Sequence, residues 1–208
     1  MIRYQPPPPM LWLLSDERMT VPVARLAAQL PPGSGIVLRH DSLTAAERWR
    51  LLRRLRRIAA ARRLVIILAG SPAHARRWGA DGVHLRQRQA GRAGQAHRLG
   101  LLLTMPVHDA REARAARRAN AGATFVSPLH PTRSHPGAAT LGPAAWLRLA
   151  RLAGGQAIAL GGVTPVRARA LLRQSAGSGV EPGWAAIDAW AEKAAKRRAR
   201  QKRNCVPT

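Results

Sequence analysis

The chain is constrained most by a rhythm. Short apolar runs of strand type alternate with stretches of helical periodicity, repeating at intervals of roughly 18 to 32 residues. The runs fall at 11–14, 36–39, 64–68, 82–85, 101–104, 125–126, 157–160 and 184–187. The third, Leu64-Val65-Ile66-Ile67-Leu68, is apolar at every position, as a parallel strand covered on both faces requires. Strands alternating with helices predict parallel strands joined by helical crossovers, and eight such units close as a single-domain (β/α)8 TIM barrel. The rival, a doubly wound open sheet, carries a glycine-rich turn after its first strand; here that turn is Ser15-Asp16-Glu17-Arg18.

The helices between the strands are marked by their ends. Thr44-Ala45-Ala46-Glu47 has capping-box spacing, and Leu51, Leu52, Leu55, Ile58 and Ala59 then recur on one face. The opposite face, Arg48, Arg50, Arg53, Arg54, Arg56 and Arg57, reads as a solvated surface rather than a polyanion stripe. Further helices are expected at 21–30, before Gly79, at 93–99, at 110–121 behind Asp109, at 144–152 behind Pro143, and at 166–174 behind Thr164-Pro165. Asp188 is read as the cap of a last helix. Residues 1–9, ending in four prolines, form an extended lead-in; 10–191 form the barrel; 192–208 form a basic tail.

Charge narrows the partners. Against 10 acidic residues stand 35 basic ones, a net charge of +25, which favours anionic ligands and admits nucleic acid without requiring it. Lys193, Lys196 and Lys202 are the only lysines, so Schiff-base chemistry in the body of the chain is excluded. Cys205 stands alone, which excludes an intrachain disulfide and a thiolate metal centre. No apolar run approaches the ~20 residues of a membrane span, and a cytoplasmic location is the expectation. Oligomeric state is left open.

In a barrel of this type the loops after the strands carry the site. Those loops offer Arg39, His40 and Asp41; Arg86 and Arg88; His108; and the rigid polar run Ser127-Pro128-Leu129-His130-Pro131-Thr132-Arg133-Ser134-His135-Pro136-Gly137. They also offer Gly161-Gly162 and Asp188. The set is rich in cations and poor in carboxylates, and the glycine pair ahead of a helix N-terminus reads either as a phosphate cradle or as a tight turn.

Three runs in order, Gly79-Ala80-Asp81-Gly82-Val83-His84-Leu85, the 127–137 loop, and Ala159-Leu160-Gly161-Gly162-Val163, resemble the thiamine-phosphate synthase and thiazole tautomerase family over roughly residues 10–190. The resemblance implies a (β/α)8 barrel that couples hydroxymethylpyrimidine pyrophosphate to thiazole phosphate with Mg2+, releasing pyrophosphate. It implies that Arg39 holds the pyrimidine substrate, that Thr132, Ser134 and His135 hold its pyrophosphate, and that Gly161 and Gly162 hold the thiazole phosphate. It also shows departures. The family's Lys two residues after that arginine is Asp41, its Asn-Asp metal pair is Ala69-Gly70, and its second metal aspartate is Gln89. Pro106 replaces a serine, His135 a lysine, and Asp188 a serine; the tautomerase histidine position holds Pro128, with His130 two residues on. The Mg2+ ligands of the family are therefore missing, and no catalytic residue carries over intact. Arg86, Arg88 and Arg133 flank the missing positions and read either as compensating cations or as surface arginines of an arginine-rich chain. Two other readings stand beside a synthase: a repurposed barrel binding a phosphorylated heterocycle or a partner protein, and RNA or acidic-membrane binding through the tail and the arginine-rich helix.

Overall fold

The computed structural model describes residues 7–132, 137 and 139–186. Eight parallel strands close in sequence order into one barrel: β1 (Leu11–Leu14), β2 (Gly35–Leu38), β3 (Val65–Ala69), β4 (Gly82–His84), β5 (Leu102–Val107), β6 (Ala123–Val126), β7 (Gln156–Ala159) and β8 (Gly183–Ala186). Between them run α1 (Val23–Ala27), α2 (Ala45–Arg62), α3 (Pro72–Trp78), α4 (Ala93–Arg98) behind a 3-10 turn at Gln87–Arg92, α5 (Ala110–Arg118), α6 (Gly142–Ala153) and α7 (Pro165–Gln174). The (β/α)8 barrel expected from the rhythm is the fold.

Strand alternation divides the apolar residues into two cores. Leu13, Ile36, Leu38, Ile66, Leu68, Val83, Leu103, Met105, Val107 and Val126 face outward and pack beneath the helices. Trp12, Leu14, Val37, Ile67, Ala123, Phe125, Ile158 and Ala185 face inward and fill the barrel. Trp12 is the plug. Its ring lies so close to β2 that a Cβ on Gly35 would stand 2.2 Å from it, and Phe125 meets it edge-on at 5.4 Å. Above this pair the interior opens toward the carboxyl ends of the strands.

The caps read from sequence form as chemistry requires. Thr44 Oγ1 accepts from Glu47 N at 3.3 Å, and Glu47 Oε2 accepts from Thr44 N at 2.9 Å, closing the capping box of α2. Asp109 caps α5 by accepting from Glu112 N at 2.8 Å, and Thr164 caps α7 by accepting from Arg167 N at 3.3 Å. Two of the differences from the expected bounds have a local cause. The first helix is shorter than 21–30 because it starts after Pro22 and ends before Pro31, which has no N–H to extend it. The fifth strand runs on through Pro106, which pairs in register with Phe125 of β6. Its missing donor is tolerated because β4 already ends opposite Thr104, leaving no ladder bond on that side to lose.

Residues 1–6, the helix expected after Asp188 and the tail at 192–208 lie outside the described residues. Pro9, the last residue of the expected extended lead-in, is buried, and its carbonyl accepts from Trp12 Nε1.

Candidate functional site

Alternation also decides which side chains reach the mouth of the barrel. Continuing the inward parity past each strand end gives Asp16 after β1, Arg39 after β2, Arg86 after β4, His108 after β5 and Ser127 after β6. All five line one cavity of ≈ 450 Å³ at the carboxyl rim, with Leu14, Ala69, Phe125 and Leu160 as its apolar wall. Pro106 and His84 complete the wall on the β4–β5 side.

Its polar groups are tied together by charge. Arg39 donates from Nε to the Ser15 carbonyl at 2.8 Å and from Nη2 to Asp16 Oδ2 at 2.9 Å. Arg18 grips the same carboxylate with two donors, at 2.8 Å each. The hydrogen bonds from Arg18, reinforced by the nearby charge of Arg39, hold the Asp16 carboxyl well below the usual carboxylate range. Ser15 is fully buried; its Oγ accepts from Arg39 N at 2.9 Å and lies 2.9 Å from His40 Nδ1. His40 adopts a left-handed backbone (φ 34°) to make that contact, and burial lowers its pKa. Across the cavity, His84 Nδ1 lies 2.9 Å from Thr104 Oγ1, and burial pushes its pKa down to about 3, so the ring is neutral at ordinary pH.

On the opposite side the loop after β6 docks on the end of β7. Leu129 N donates to the Leu160 carbonyl at 2.9 Å and His130 N to the Gly161 carbonyl at 3.1 Å. A Cβ on Gly161 would stand 2.8 Å from Pro128 Cα, and one on Gly162 would stand 2.4 Å from the Pro131 carbonyl oxygen. Both glycines have positive φ, at 94° and 59°. Glycine is thus demanded here by loop docking and backbone conformation, before any ligand is considered. Arg167 donates to the Gly162 carbonyl at 2.7 Å, at the start of α7.

The residues singled out from sequence therefore divide. Arg39 and Arg86 reach the cavity, where Arg86 pairs with Asp41. Gly161 and Gly162 stand beside the docked loop, and Thr132 follows it, partly buried. Arg88 is exposed on the 3-10 turn and does not line the cavity. Arg133, Ser134 and His135 lie outside the described residues, as does Asp188.

The arginine face of α2 requires correction. Arg48 does not point to solvent: its side chain keeps only 15% of its surface exposed, and Nη2 donates to the carbonyls of Leu38 at 3.2 Å and Ala69. It occupies the first turn of the helix, where a long side chain reaches back over the end of the preceding strand. Trp49 also sits in that stripe, with Arg53 stacked on its ring at 4.8 Å. Ser15, Asp16 and Arg48 carry no motif that marks them for the site; inward parity after Trp12 and Leu14 is the one signal that points to Asp16.

Whether the rim suits a divalent metal follows from its donors. No cluster of three potential metal ligands occurs among the described residues; of the three carboxylates lining the cavity, Asp16 and Asp41 are ion-paired with arginines and Glu17 Oε1 accepts from Ser42 N at 2.7 Å. At Gly70, the direction a side chain would take meets Arg48 Nη1 at 3.8 Å. The Gln89 amide oxygen accepts from Arg86 N at 3.1 Å. A guanidinium where a metal-binding carboxylate would project disfavours a second cation by like-charge repulsion, and the residues present do not fit Mg2+.

Fold and rim together define a (β/α)8-barrel protein with an arginine-lined pocket at the carboxyl ends of its strands. The sequence model of thiamine monophosphate synthase matches residues 13–182, and the chain belongs to that family. No curated protein sequence matches it. Among solved structures it is similar to a thiamine phosphate pyrophosphorylase from Pyrococcus furiosus, at 19% identity over 86% of this chain and 85% of that one, with a TM-score of 0.68. It is also similar to FabK from Thermotoga maritima, at 14% identity over 88% of this chain and 59% of that one, with a TM-score of 0.67. Among the described residues no helix is long and apolar enough to cross a membrane.

Proposed function

We propose that the protein is a thiamine-phosphate synthase-type transferase that works without a divalent metal. The thiazole nitrogen attacks the methylene carbon of hydroxymethylpyrimidine pyrophosphate; the carbon–oxygen bond breaks, and pyrophosphate departs with the bonding electrons. The observation that carries this reading is the convergence of Arg39 and Arg86 on a ligand-sized cavity in a chain of this family. Guanidinium donors can meet the charge that develops on the leaving pyrophosphate, a task for which metal or strong cations are usually required. Phe125, Leu14 and Leu160 give the heterocycle an apolar floor. Thr132, Ser134 and His135, with Gly161 and Gly162, are the residues proposed to hold the phosphate groups.

The test is incubation of purified protein with both substrates in EDTA and in Mg2+. Thiamine phosphate should form at similar rates in the two conditions. Absence of product at every metal concentration would overturn the reading. A second reading, a barrel that binds a phosphorylated heterocycle without turnover, draws on the engagement of Arg39 with Ser15 and Asp16, which leaves it fewer donors for substrate. It predicts a thermal shift with thiamine phosphate and no product.

A further inference from the structure

The loop after β2 sets Asp41 between two guanidinium groups. Its Oδ2 pairs with Arg86, and its Oδ1 lies 3.5 Å from Arg48 Nη2. The three differ in exposure: Asp41 and Arg86 keep 47% and 49% of their side-chain surface, Arg48 only 15%. Arg48 is anchored from below by the Leu38 and Ala69 carbonyls, and its buried Nε has no partner among the described residues. Gly70 beside it has no side chain, so no carboxylate closes that flank.

We propose that Arg48 and Arg86 form a metal-independent seat for a phosphate or diphosphate group, and that Asp41 is an internal carboxylate occupying the seat until an external anion displaces it. The proposal rests on the reading that this cavity takes a phosphorylated ligand, and it adds the residues that would do so and the group that competes. A carboxylate held between two arginines marks a place where anionic oxygens are stabilised. Diphosphate carries more charge and more acceptor oxygens than Asp41, so it meets the Arg86 fork and the positive charge of Arg48 better, with Arg48 Nη2 kept on the Leu38 and Ala69 carbonyls. Asp41 is half exposed on a loop and can turn to water at little cost, because an exposed ion pair contributes little. Arg48 stays in place at the edge of the cavity: its side chain is mostly covered and fixed by two carbonyls, hence preorganised for the anion that replaces Asp41.

Isothermal titration of the full chain with inorganic pyrophosphate in EDTA tests this, with inorganic phosphate as a second probe. Wild type should bind pyrophosphate without metal. Asp41→Asn, which removes the competing charge at constant size, should bind about ten-fold tighter, and Arg86→Gln at least about ten-fold weaker. Arg53→Gln, on the outer face of α2, should leave affinity unchanged and so exclude diffuse attraction to a basic surface. Both rim substitutions are at half-exposed positions, and matched melting temperatures would show that they fold. The proposal falls if Asp41→Asn binds no more tightly than wild type, if binding requires Mg2+, or if Arg53→Gln weakens it as much as Arg86→Gln. The readout is separate from turnover. A tighter Asp41→Asn with no thiamine phosphate formed keeps the anion seat and removes the synthase reading; product formation with an indifferent Asp41→Asn does the reverse.

Discussion

On the β1–β4 side of the carboxyl rim, polar side chains are tied to one another by charge: Asp16 to Arg18 and Arg39, Asp41 to Arg48 and Arg86. On the β6–β7 side the loop from Pro128 to Pro131 is tied by backbone hydrogen bonds to Leu160 and Gly161, and by the absence of a Cβ on two glycines. The first kind of attachment is long-ranged, screened by salt and replaceable by another ion. The second is short-ranged, steric and indifferent to salt. A rim built this way offers one wall that can exchange its internal anion for a ligand's and one wall that stays put.

The largest effect should come from breaking the rigid wall. Gly162→Ala forces a Cβ to within 2.4 Å of the Pro131 carbonyl oxygen at φ 59°, and should cost about 2–4 kcal/mol by chemical denaturation. That loss should persist in 1 M salt; a loss below about 1 kcal/mol would show that the loop is not seated on β7.

His84 gives the next. Its folded pKa lies below its unfolded value, so the unfolded chain binds the extra proton first, and the contribution is complete above the unfolded pKa of about 6.5. As pH falls from there toward about 3, stability should decline with a limiting slope of about 1.4 kcal/mol per pH unit from this one group. Denaturation midpoints measured between pH 7 and 5 should show that decline in wild type and a flatter profile in His84→Gln. Identical profiles would place the ring in contact with water.

The smallest belongs to the charged wall. Asp16→Asn leaves Arg39 without its carboxylate and should cost about 1–2 kcal/mol, discounted because Arg18 is largely exposed. The folded pKa of Asp16 is depressed, so its contribution is present above the ordinary carboxylate range near pH 4 and is lost as pH falls below it. High salt should shrink the difference between Asp16→Asn and wild type, in contrast to Gly162→Ala.

Much of this architecture was legible before any coordinates. Runs such as Leu64-Val65-Ile66-Ile67-Leu68 and caps such as Thr44-Ala45-Ala46-Glu47 are local, because hydrophobic periodicity and first-turn hydrogen bonds depend on residues within one element. The site was legible in part. Arg39 and Arg86 could be read because inward parity continues for two residues past a strand. Arg88 could not be separated from Arg86 by chemistry alone; the turn at Gln87–Arg92 breaks parity and sends it to solvent. Arg48 looked like one more arginine on an outer face, and only the end of β3 beneath it made it part of the rim.

The sequence by itself determined the number of strands, their parallel order and the place of the glycine pair. Those properties are written in residue type and spacing along one chain. Tertiary structure decided which cations face which anions across the rim: Asp16 with Arg39, and Asp41 with Arg86, come from different βα units. It also decided that Gly161 and Gly162 receive a neighbouring loop. Electrostatic and steric partners depend on distance in space, and barrel closure alone sets those distances for residues far apart in the chain.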